Sequence, residues 1–415
     1  MHNGTARTVI RNGCLLVLLS IVALPLSRSA EAQSFDLSGF VKSSYYYDTR
    51  QVVAARNAEY LLWPANESLN EGGEDTNDVS NLSSYQIFSR LGLSIGELPQ
   101  VMGGDVTGYI ETDFFGPTGD ETNTLRIRRA FAKMAWEDRE VLFGVEWSPM
   151  FTLAAFPHTV ASEAGTPFNP FARQPMIKLT LKPGNLRVIG AAAWQFDAFQ
   201  SDGFQGTSGI DQQQQSALPG WHGHLQYVSE NATLGVGGFA KSLRPVRTGD
   251  RIFTGAVLGY FTVTGSSVIV RGKGVYGGDL HDHVKTGGIV YDPAEDADGE
   301  FVADAFQALD SFSAWVELEG TGGVAPGIMA GYLTNLGAAD EVSAGAIANG
   351  RGNNVETLWE VAPRLALNHG PLRFALEVQV TNATFAEGFD ANYVPSGNTT
   401  SVTNVRGDFS VFLFF

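Results

Sequence analysis

The sequence predicts an all-β protein, a transmembrane antiparallel β-barrel of about 16 strands. Apolar and polar residues alternate with a period of two along most of the chain, as in strands that separate two environments. Beyond residue 32 no apolar run is long enough for a membrane-spanning helix. The alternation is clearest in the final strand, where one face carries Val405, Gly407, Phe409, Val411, Leu413 and Phe415.

Short turns and long polar loops alternate between the predicted strands, as at the two rims of an outer-membrane barrel. The strands begin near Phe35, Ser84, Val106, Leu125, Val141, Met176, Leu186, Trp221, Thr233, Ile252, Ser267, Phe312, Gly327, Glu356, Leu372 and Val405. The long loops span roughly 51–81, 116–124, 149–175, 197–220, 242–251, 277–309, 337–354 and 385–401. A closed barrel of this kind leaves no sheet edge in lipid.

Composition excludes other classes of protein. The 415 residues include 44 acidic and 27 basic side chains, a net charge of -17, which argues against a nucleic-acid partner. The only cysteine, Cys14, lies in a segment with the pattern of a signal peptide, with Arg7 and Arg11 before an apolar stretch and Ala30-Glu31-Ala32 at its end. We therefore predict a signal peptide over 1–32 and a cysteine-free barrel domain over 33–415.

Four segments resemble the DcaP-like outer-membrane porins and, more distantly, the phosphate-selective porins. These segments are Ser89–Gly92, Tyr109–Gly116, Leu125–Phe131 and Phe143–Ser148. The resemblance implies a trimeric channel in a Gram-negative outer membrane, whose third long loop, Pro149 to Pro175, folds inward to narrow the pore. The last strand, ending in Phe415, resembles the C-terminal strand that barrel-assembly machinery recognises.

Strand parity predicts which charged residues line the lumen. The main basic candidates are Arg90, Arg126, Arg128, Arg271, Lys273, Arg364 and Arg373, and the acidic ones are Glu111, Asp113 and Glu146. Basic residues outnumber acidic ones on the inward faces of all the predicted strands together, with Arg90, Arg126 and Arg128 expected near the narrow point. We therefore expect a passive channel, not an enzyme, with a preference for anions such as dicarboxylates or phosphate. The alternative is that Arg and Glu side chains on adjacent strands form ion pairs with each other, which would give the pore no selectivity.

The inward loop offers candidates for the constriction itself. These are Phe151, Phe156, His158, Glu163 and Phe168. The alternative is that some of these side chains anchor the loop against the inner wall.

Parity places Arg129 on the outward face with Leu125, Ile127 and Phe131. Because an Arg at the membrane midplane costs roughly 2 to 4 kcal/mol, it is not expected to meet lipid. Small outward residues on strands one to five, such as Gly108, predict a subunit interface there, through which the trimer that the resemblance implies would form. The alternative is a bulge that shifts the register at Arg129.

No cofactor or specific metal site is predicted. An acidic loop could bind divalent cations loosely through Asp292, Glu295, Asp296, Asp298 and Glu300. The His222/His224 and His281/His283 pairs show no third ligand.

The expected partners are outer-membrane lipid, lipopolysaccharide and small solutes. A surface-binding or adhesive barrel and, less favoured, a barrel hydrolase are the alternative functions.

Overall fold

The structure of the protein is a computed structural model that describes residues 33–55, 58–116, 123–196, 209–247, 249–295 and 301–415. The predicted signal peptide lies outside these residues and stays a prediction. In chain order the strands are β1 (Ser34–Asp48), β2 (Val52–Ala55), β3 (Tyr60–Pro64), β4 (Asn81–Tyr85), β5 (Arg90–Val101), β6 (Gly104–Asp113), β7 (Arg126–Ala135), β8 (Arg139–Trp147), β9 (Arg173–Leu181), β10 (Leu186–Ala193), β11 (Gly220–Val228), β12 (Ala232–Leu243), β13 (Ile252–Thr264), β14 (Val268–Gly278), β15 (Gly287–Glu295), β16 (Phe301–Gly320), β17 (Val324–Gly337), β18 (Ile347–Arg351), β19 (Val355–His369), β20 (Leu372–Phe389) and β21 (Pro395–Phe414). The described residues also form a helix, α1 (Gly209–Ser216), and a 3-10 turn, His281–His283.

Sixteen antiparallel strands close into one barrel, as the sequence predicts. β1 pairs with the last strand, β21, through Phe40 opposite Phe414, and with β5 through Phe35 opposite Ile95. Each predicted strand corresponds to one strand of this wall. The second wall strand is divided into β4 and β5, which both face β1. The closed hydrogen-bond ladder leaves no free edge, as a membrane barrel requires.

The outward faces of the wall form an apolar belt. On β20, Leu376 is 52% exposed and points outward, whereas the adjacent Glu377 is 0% exposed and points inward. Equivalent outward side chains on other strands include Val41, Leu91, Ile110, Phe143, Ile177, Val188, Leu225, Val236, Val257, Tyr276, Val316, Ile328, Leu365 and Leu413. Such a surface is suited to contact with lipid chains.

No helix among the residues that the structure describes has the length and apolar content needed to cross a membrane.

A bulge in β7 overturns the predicted position of Arg129. The ladder with β6 pairs Glu111 with Arg129, but the next pair skips Arg128, so β7 contains one extra residue. Both arginines then face the interior, and so does Phe131. The outward assignment of Arg129 and Phe131 is therefore wrong, and the alternative of a register shift is confirmed. Ile127, which precedes the bulge, stays outward and is 53% exposed.

Besides the first, three of the predicted long loops contain strands. β15 pairs with the distal half of β16, through Gly288 opposite Leu309, and also with β18. β20 and β21 continue their ladder out to Phe389 opposite Pro395. The predicted loops 277–309, 337–354 and 385–401 are therefore too long. Their polar composition hides the strands, because a strand beyond the lipid-facing zone needs no apolar outward face.

The first long loop folds into the barrel, which the sequence analysis did not predict. β2 and β3 form a hairpin, and Tyr60 and Trp63 on β3 are only 0% and 3% exposed. The Tyr60 ring lies 5.2 Å from that of Phe115 and 5.6 Å from that of Phe171. The hairpin, the third long loop and the inner faces of β16–β21 thus share one apolar core inside the barrel.

Candidate pore and the loops that narrow it

The third long loop, between β8 and β9, lies inside the barrel, as the resemblance implies. Lys273 on β14 holds its two ends together. The Lys273 Nζ donates to the carbonyl oxygens of Met150 at 3.3 Å and Phe151 at 2.5 Å, and to Asn169 Oδ1 at 2.7 Å. Lys273 is only 3% exposed, so this predicted pore-lining cation anchors the loop instead of facing the lumen.

Aromatic packing also fixes the loop. The rings of Trp147 and Phe151 stack with centroids 3.9 Å apart, and Phe171 meets both edge-on at 4.9 and 5.7 Å. Phe168 is 0% exposed and lies so close to Gly331 that a Cβ there would come within 2.5 Å of the ring. Phe151 and Phe168 are therefore anchors, which is the alternative that the sequence left open.

A further set of contacts ties the middle of the loop to β1 and β20. The Lys42 Nζ donates to the Val160 carbonyl at 2.8 Å and lies 3.0 Å from Ser162 Oγ. Glu163 Oε1 accepts a hydrogen bond from Gln379 Nε2 at 2.7 Å. Glu163, predicted at the constriction, is 1% exposed and is therefore also an anchor.

Phe156 and His158 form the part of the loop that reaches the open lumen. Their ring centroids lie 4.8 Å apart, and Phe156 also packs 5.0 Å from Phe151. The backbone N–H of His158 donates to Glu317 at 2.8 Å, and its Nδ1 lies 3.1 Å from Glu319 Oε2. Of the predicted constriction residues, these two are the ones that a passing solute would meet.

Beside this tip lies a chamber of about 450 Å³ within the barrel. Its wall combines arginines with phenylalanines from the ends of β1 and β21. The lining includes Phe40, Phe88, Arg90, Glu111, Arg129, Phe156, His158, Arg373, Phe412 and Phe414. The wall thus offers both cationic and apolar surface to a solute.

The predicted arginines pair with carboxylates on neighbouring strands. Arg126 makes a bidentate contact with Asp113 at 2.7 and 3.2 Å. Arg128 contacts Glu111 at 2.7 Å and Asp113 at 2.5 Å, and the Nε of Arg90 lies 3.7 Å from Glu111. Pairing across the wall, the alternative to an anion ladder, is therefore present around the expected narrow point.

The pairs are asymmetric in their exposure. Arg129 makes a bidentate contact with Glu146 at 2.8 and 2.7 Å. The side chain of Arg129 is 20% exposed against 4% for Glu146, and that of Arg90 is 21% exposed against 6% for Glu111. In these two pairs the guanidinium group is therefore the more exposed partner, although Glu111 also lines the chamber.

The remaining predicted basic residues divide into two groups. Arg271 and Arg364 share Glu317, at 2.7 and 2.8 Å, and their side chains are only 8% and 4% exposed. Arg373 is exposed and donates to Asn368 Oδ1 at 2.7 Å.

Sequence reasoning missed Lys133. It lies opposite the buried Leu142 and shares the inward face of β7 with Phe131 and Arg129. The bulge at Arg128 reverses the parity of the strand beyond it, so simple alternation from the start of β7 assigns Lys133 to the outward face.

Ser148, His283 and Asp282 form a buried hydrogen-bonded chain at the base of the loop. Ser148 Oγ lies 3.0 Å from His283 Nε2, and His283 Nδ1 lies 3.0 Å from Asp282 Oδ1. Burial opposes ionisation of Asp282, but His283 and Lys241 hold its pKa well below the usual range. This order of groups is that of a hydrolase triad, yet all three are at most 4% exposed, so a substrate does not reach Ser148. The His283 carbonyl also accepts the Phe171 N–H at 2.8 Å, so the chain clamps both ends of the loop.

The candidate metal ligands do not converge. Among the residues that the structure describes, no group of three or more His, Asp or Glu side chains is arranged to hold a metal ion. His222 and His224 are each 5% exposed on β11. Asp296, Asp298 and Glu300 of the acidic loop lie outside the described residues, so loose cation binding there stays a prediction.

Comparisons with known proteins find similarity in structure but not in sequence. No protein-family profile and no curated protein matches the chain. The outer membrane channel DcaP of Acinetobacter baumannii matches with a TM-score of 0.64 and 16% identity, over 94% of this chain and 100% of that one. An anion-selective porin from Comamonas acidovorans matches with a TM-score of 0.54 and 10% identity, over 92% and 100%. The trimer form of OmpT, an outer membrane protein of Vibrio cholerae, matches with a TM-score of 0.50 and 10% identity, over 93% and 100%. The chain thus has the fold of the porin barrels, and its resemblance to the DcaP-like channels is confirmed at the level of the fold.

Proposed function

We propose that the chain is a porin of the Gram-negative outer membrane, a passive diffusion channel for small hydrophilic solutes. The observation that carries the proposal is the closed barrel with an apolar outer belt, a charged inner wall and a long loop folded inside it. The similar structures include an outer membrane channel and a porin, which supports the same function. Lipid and lipopolysaccharide would then surround the belt and the outer loops.

A preference for anions is the finer part of the proposal. The exposure of Arg90, Arg129 and Arg373 supports it, because these guanidinium groups line the chamber and those of Arg90 and Arg129 are more exposed than the carboxylates paired with them. A paired guanidinium still has N–H donors that its carboxylate does not use, so it can bind a passing anion. Dicarboxylates and phosphate are the anions that we propose to test.

We also propose that the protein is a homotrimer whose subunits meet through β1 and β4–β8. Small outward residues on these strands, among them Gly108, Thr112 and Ala132, support close approach of two barrels. The trimer form of the Vibrio cholerae protein supports the trimeric state.

Recording from the purified protein in planar bilayers tests the function. A porin gives discrete conductance steps, and a salt gradient gives a reversal potential of the sign expected for anion preference. Absence of conductance from folded, membrane-inserted protein would overturn the channel and favour a surface-binding barrel. A reversal potential of the opposite sign would overturn only the anion preference.

A further inference from the structure

One acid-rich contact joins both inward loops to the barrel wall. Its acids are Glu59 from the first loop, Glu163 from the third loop, and Glu360, Glu377 and Asp408 from β19, β20 and β21. We call this contact the acidic joint. All five side chains are at most 4% exposed. Five carboxyl groups taken out of water in one place require either cations or protons.

The cations facing the joint are already engaged. Arg406 makes a bidentate contact with Asp48 at 2.9 and 2.7 Å, donates to the Ala58 carbonyl at 2.9 Å and stacks over the Tyr46 ring. Lys42, as described above, holds the third loop through Val160 and Ser162. Neither cation forms an ion pair with any of the five acids among the residues that the structure describes. Protons are therefore the remaining means of neutralising the excess charge.

Hydrogen bonds account for most of these acids. Glu377 accepts the backbone N–H groups of Val160 and Ala161, each at 3.0 Å. Glu59 accepts the Ser162 hydroxyl at 2.8 Å. Glu360 accepts the Thr381 hydroxyl, and Asp408 accepts the Ser410 hydroxyl, at 2.8 and 2.7 Å.

Glu59 and Glu163 each keep a buried Oε2 with no hydrogen-bond partner among the described residues, and of these two it is Glu163 that is bonded to Gln379. Its Oε1 accepts from Gln379 Nε2 at 2.7 Å, and the same Nε2 lies 3.5 Å from Glu360 Oε1. Glu163 Oε2 and Gln379 Oε1 are buried and have no hydrogen-bond partner among the described residues. Both atoms are acceptors, so a proton on Glu163 would supply the O–H donor that is missing. Burial raises the pKa of Glu163 to about 8, and the neighbouring Glu360 adds to this while Arg406 opposes it.

We propose that a proton held by Glu163 in the acidic joint fixes the third loop to the barrel wall, and that loss of this proton as the pH rises releases the middle of the loop. The docked loop binds the proton, whereas a loop released into water exposes an ordinary carboxyl group that ionises near pH 4 to 5. Raising the pH therefore favours release. The ratio of docked to released loop falls by up to about tenfold per pH unit between roughly pH 5 and 8 and is constant above that range.

The position of the loop can be measured without assuming that the barrel conducts. In a Cys14→Ser chain, Ala161→Cys places a thiol where the side chain is 6% exposed, and Leu153→Cys places a control thiol on the same loop where it is 50% exposed. The readout is the rate at which a charged methanethiosulfonate modifies the thiol of the Ala161→Cys chain, divided by the rate for the Leu153→Cys chain at each pH. We expect this ratio to rise at least tenfold from pH 6 to pH 8.5.

Glu163→Gln should keep the ratio low at every pH, because the amide is neutral and still supplies a donor. Glu341→Gln, an exposed loop control, should leave the rise intact. Glu360→Gln should reduce the rise in the labelling ratio. With one negative charge fewer beside it, Glu163 ionises more easily in the docked loop, so less docking is lost as the pH rises. A flat ratio in the parent, or the same rise in Glu163→Gln, overturns the proposal.

Single-channel recording over the same pH range gives a second test, which rests on the proposed function. If the barrel conducts, transitions between conductance levels should become more frequent above pH 7 in the parent and not in Glu163→Gln. Equal pH dependence in the two proteins would overturn control of the pore by Glu163. If folded protein gives no conductance, the channel proposal fails, and the labelling result alone decides whether Glu163 holds the loop.

Discussion

Replacing Arg373 by glutamine is the most direct test of the anion preference. Arg373 lines the chamber, and its hydrogen bond goes to the amide oxygen of Asn368 at 2.7 Å, not to a carboxylate. Arg373→Gln therefore removes a positive charge without leaving a buried negative one. The same cannot be said of Arg126 or Arg128, because the loss of either would take one of its two guanidinium partners from Asp113, which is 0% exposed.

The size of the effect follows from the size of the chamber. A sphere with the chamber's volume of about 450 Å³ has a radius of about 5 Å, so a solute at its centre lies about 6 Å from the charge of Arg373. In water-filled surroundings two unit charges at this distance interact with about 0.7 kcal/mol. Removing the charge should therefore lower anion occupancy about threefold and raise cation occupancy about threefold, so the ratio of anion to cation permeability should fall about tenfold.

Reversal potentials in gradients of potassium chloride measure this ratio. The salt concentration should stay at or below about 0.1 M, where the Debye length of about 10 Å leaves the interaction largely unscreened. Arg139→Gln is the matched control, because Arg139 begins β8 next to an exposed turn and contacts Asp138 at 3.1 Å. An unchanged permeability ratio in Arg373→Gln, or an equal fall in both variants, would refute an anion preference set by the chamber wall.

Three further variants test the ion pairs and the anchors. Arg129→Gln should likewise lower the permeability ratio about tenfold in the same assay, because the wall loses one unit of positive charge and Glu146 keeps its negative charge. Lys273→Met leaves three buried acceptors without their donor and should destabilise the docked loop by about 3 kcal/mol, seen as faster cleavage of the loop by added protease. Phe168→Ala should lower the free energy of unfolding by about 3 to 5 kcal/mol in detergent, and an unchanged melting temperature would contradict its role as a buried anchor.

The wall of the barrel could be predicted because its rule is local. A strand between lipid and a wet lumen needs an apolar side chain at every second position, whatever its neighbours are. Leu376 and Glu377 obey this rule, and so do the other strands, so their number and order follow from alternation and from the short turns.

The contents of the barrel depend on contacts between segments that are far apart in the sequence. Tyr60 to Trp63 form an apolar run inside a polar loop, and this run was the available signal that the first loop folds inward. The bulge at Arg128 leaves no such signal, because one extra residue does not disturb the composition of β7. Strand parity could not decide whether the Glu163 side chain lines the pore or anchors the loop. The answer depends on the position of Gln379 on the barrel wall.

The same bulge bears on where the subunits meet. Beyond it, Ala130 and Ala132 point outward in place of Phe131, and Ala132 is exposed beside Gly108, which lies opposite it on β6. The outer wall at Gly108, Ala130 and Ala132 therefore carries small residues, although Ile110 and Ile127 also point outward, and these small residues let a second barrel approach closely.

Arginine substitution distinguishes such an interface from a lipid-facing wall. Ala132→Arg and Val257→Arg each place a charge on the outer surface, the second on β13, where Val257 is 60% exposed. In lipid either substitution costs roughly 2 to 4 kcal/mol near the midplane, so both should affect folding alike. Only Ala132→Arg should convert the trimer to monomer on native electrophoresis in mild detergent, because only there would the charge be buried between subunits. Loss of the trimer in Val257→Arg and not in Ala132→Arg would move the interface to the opposite wall.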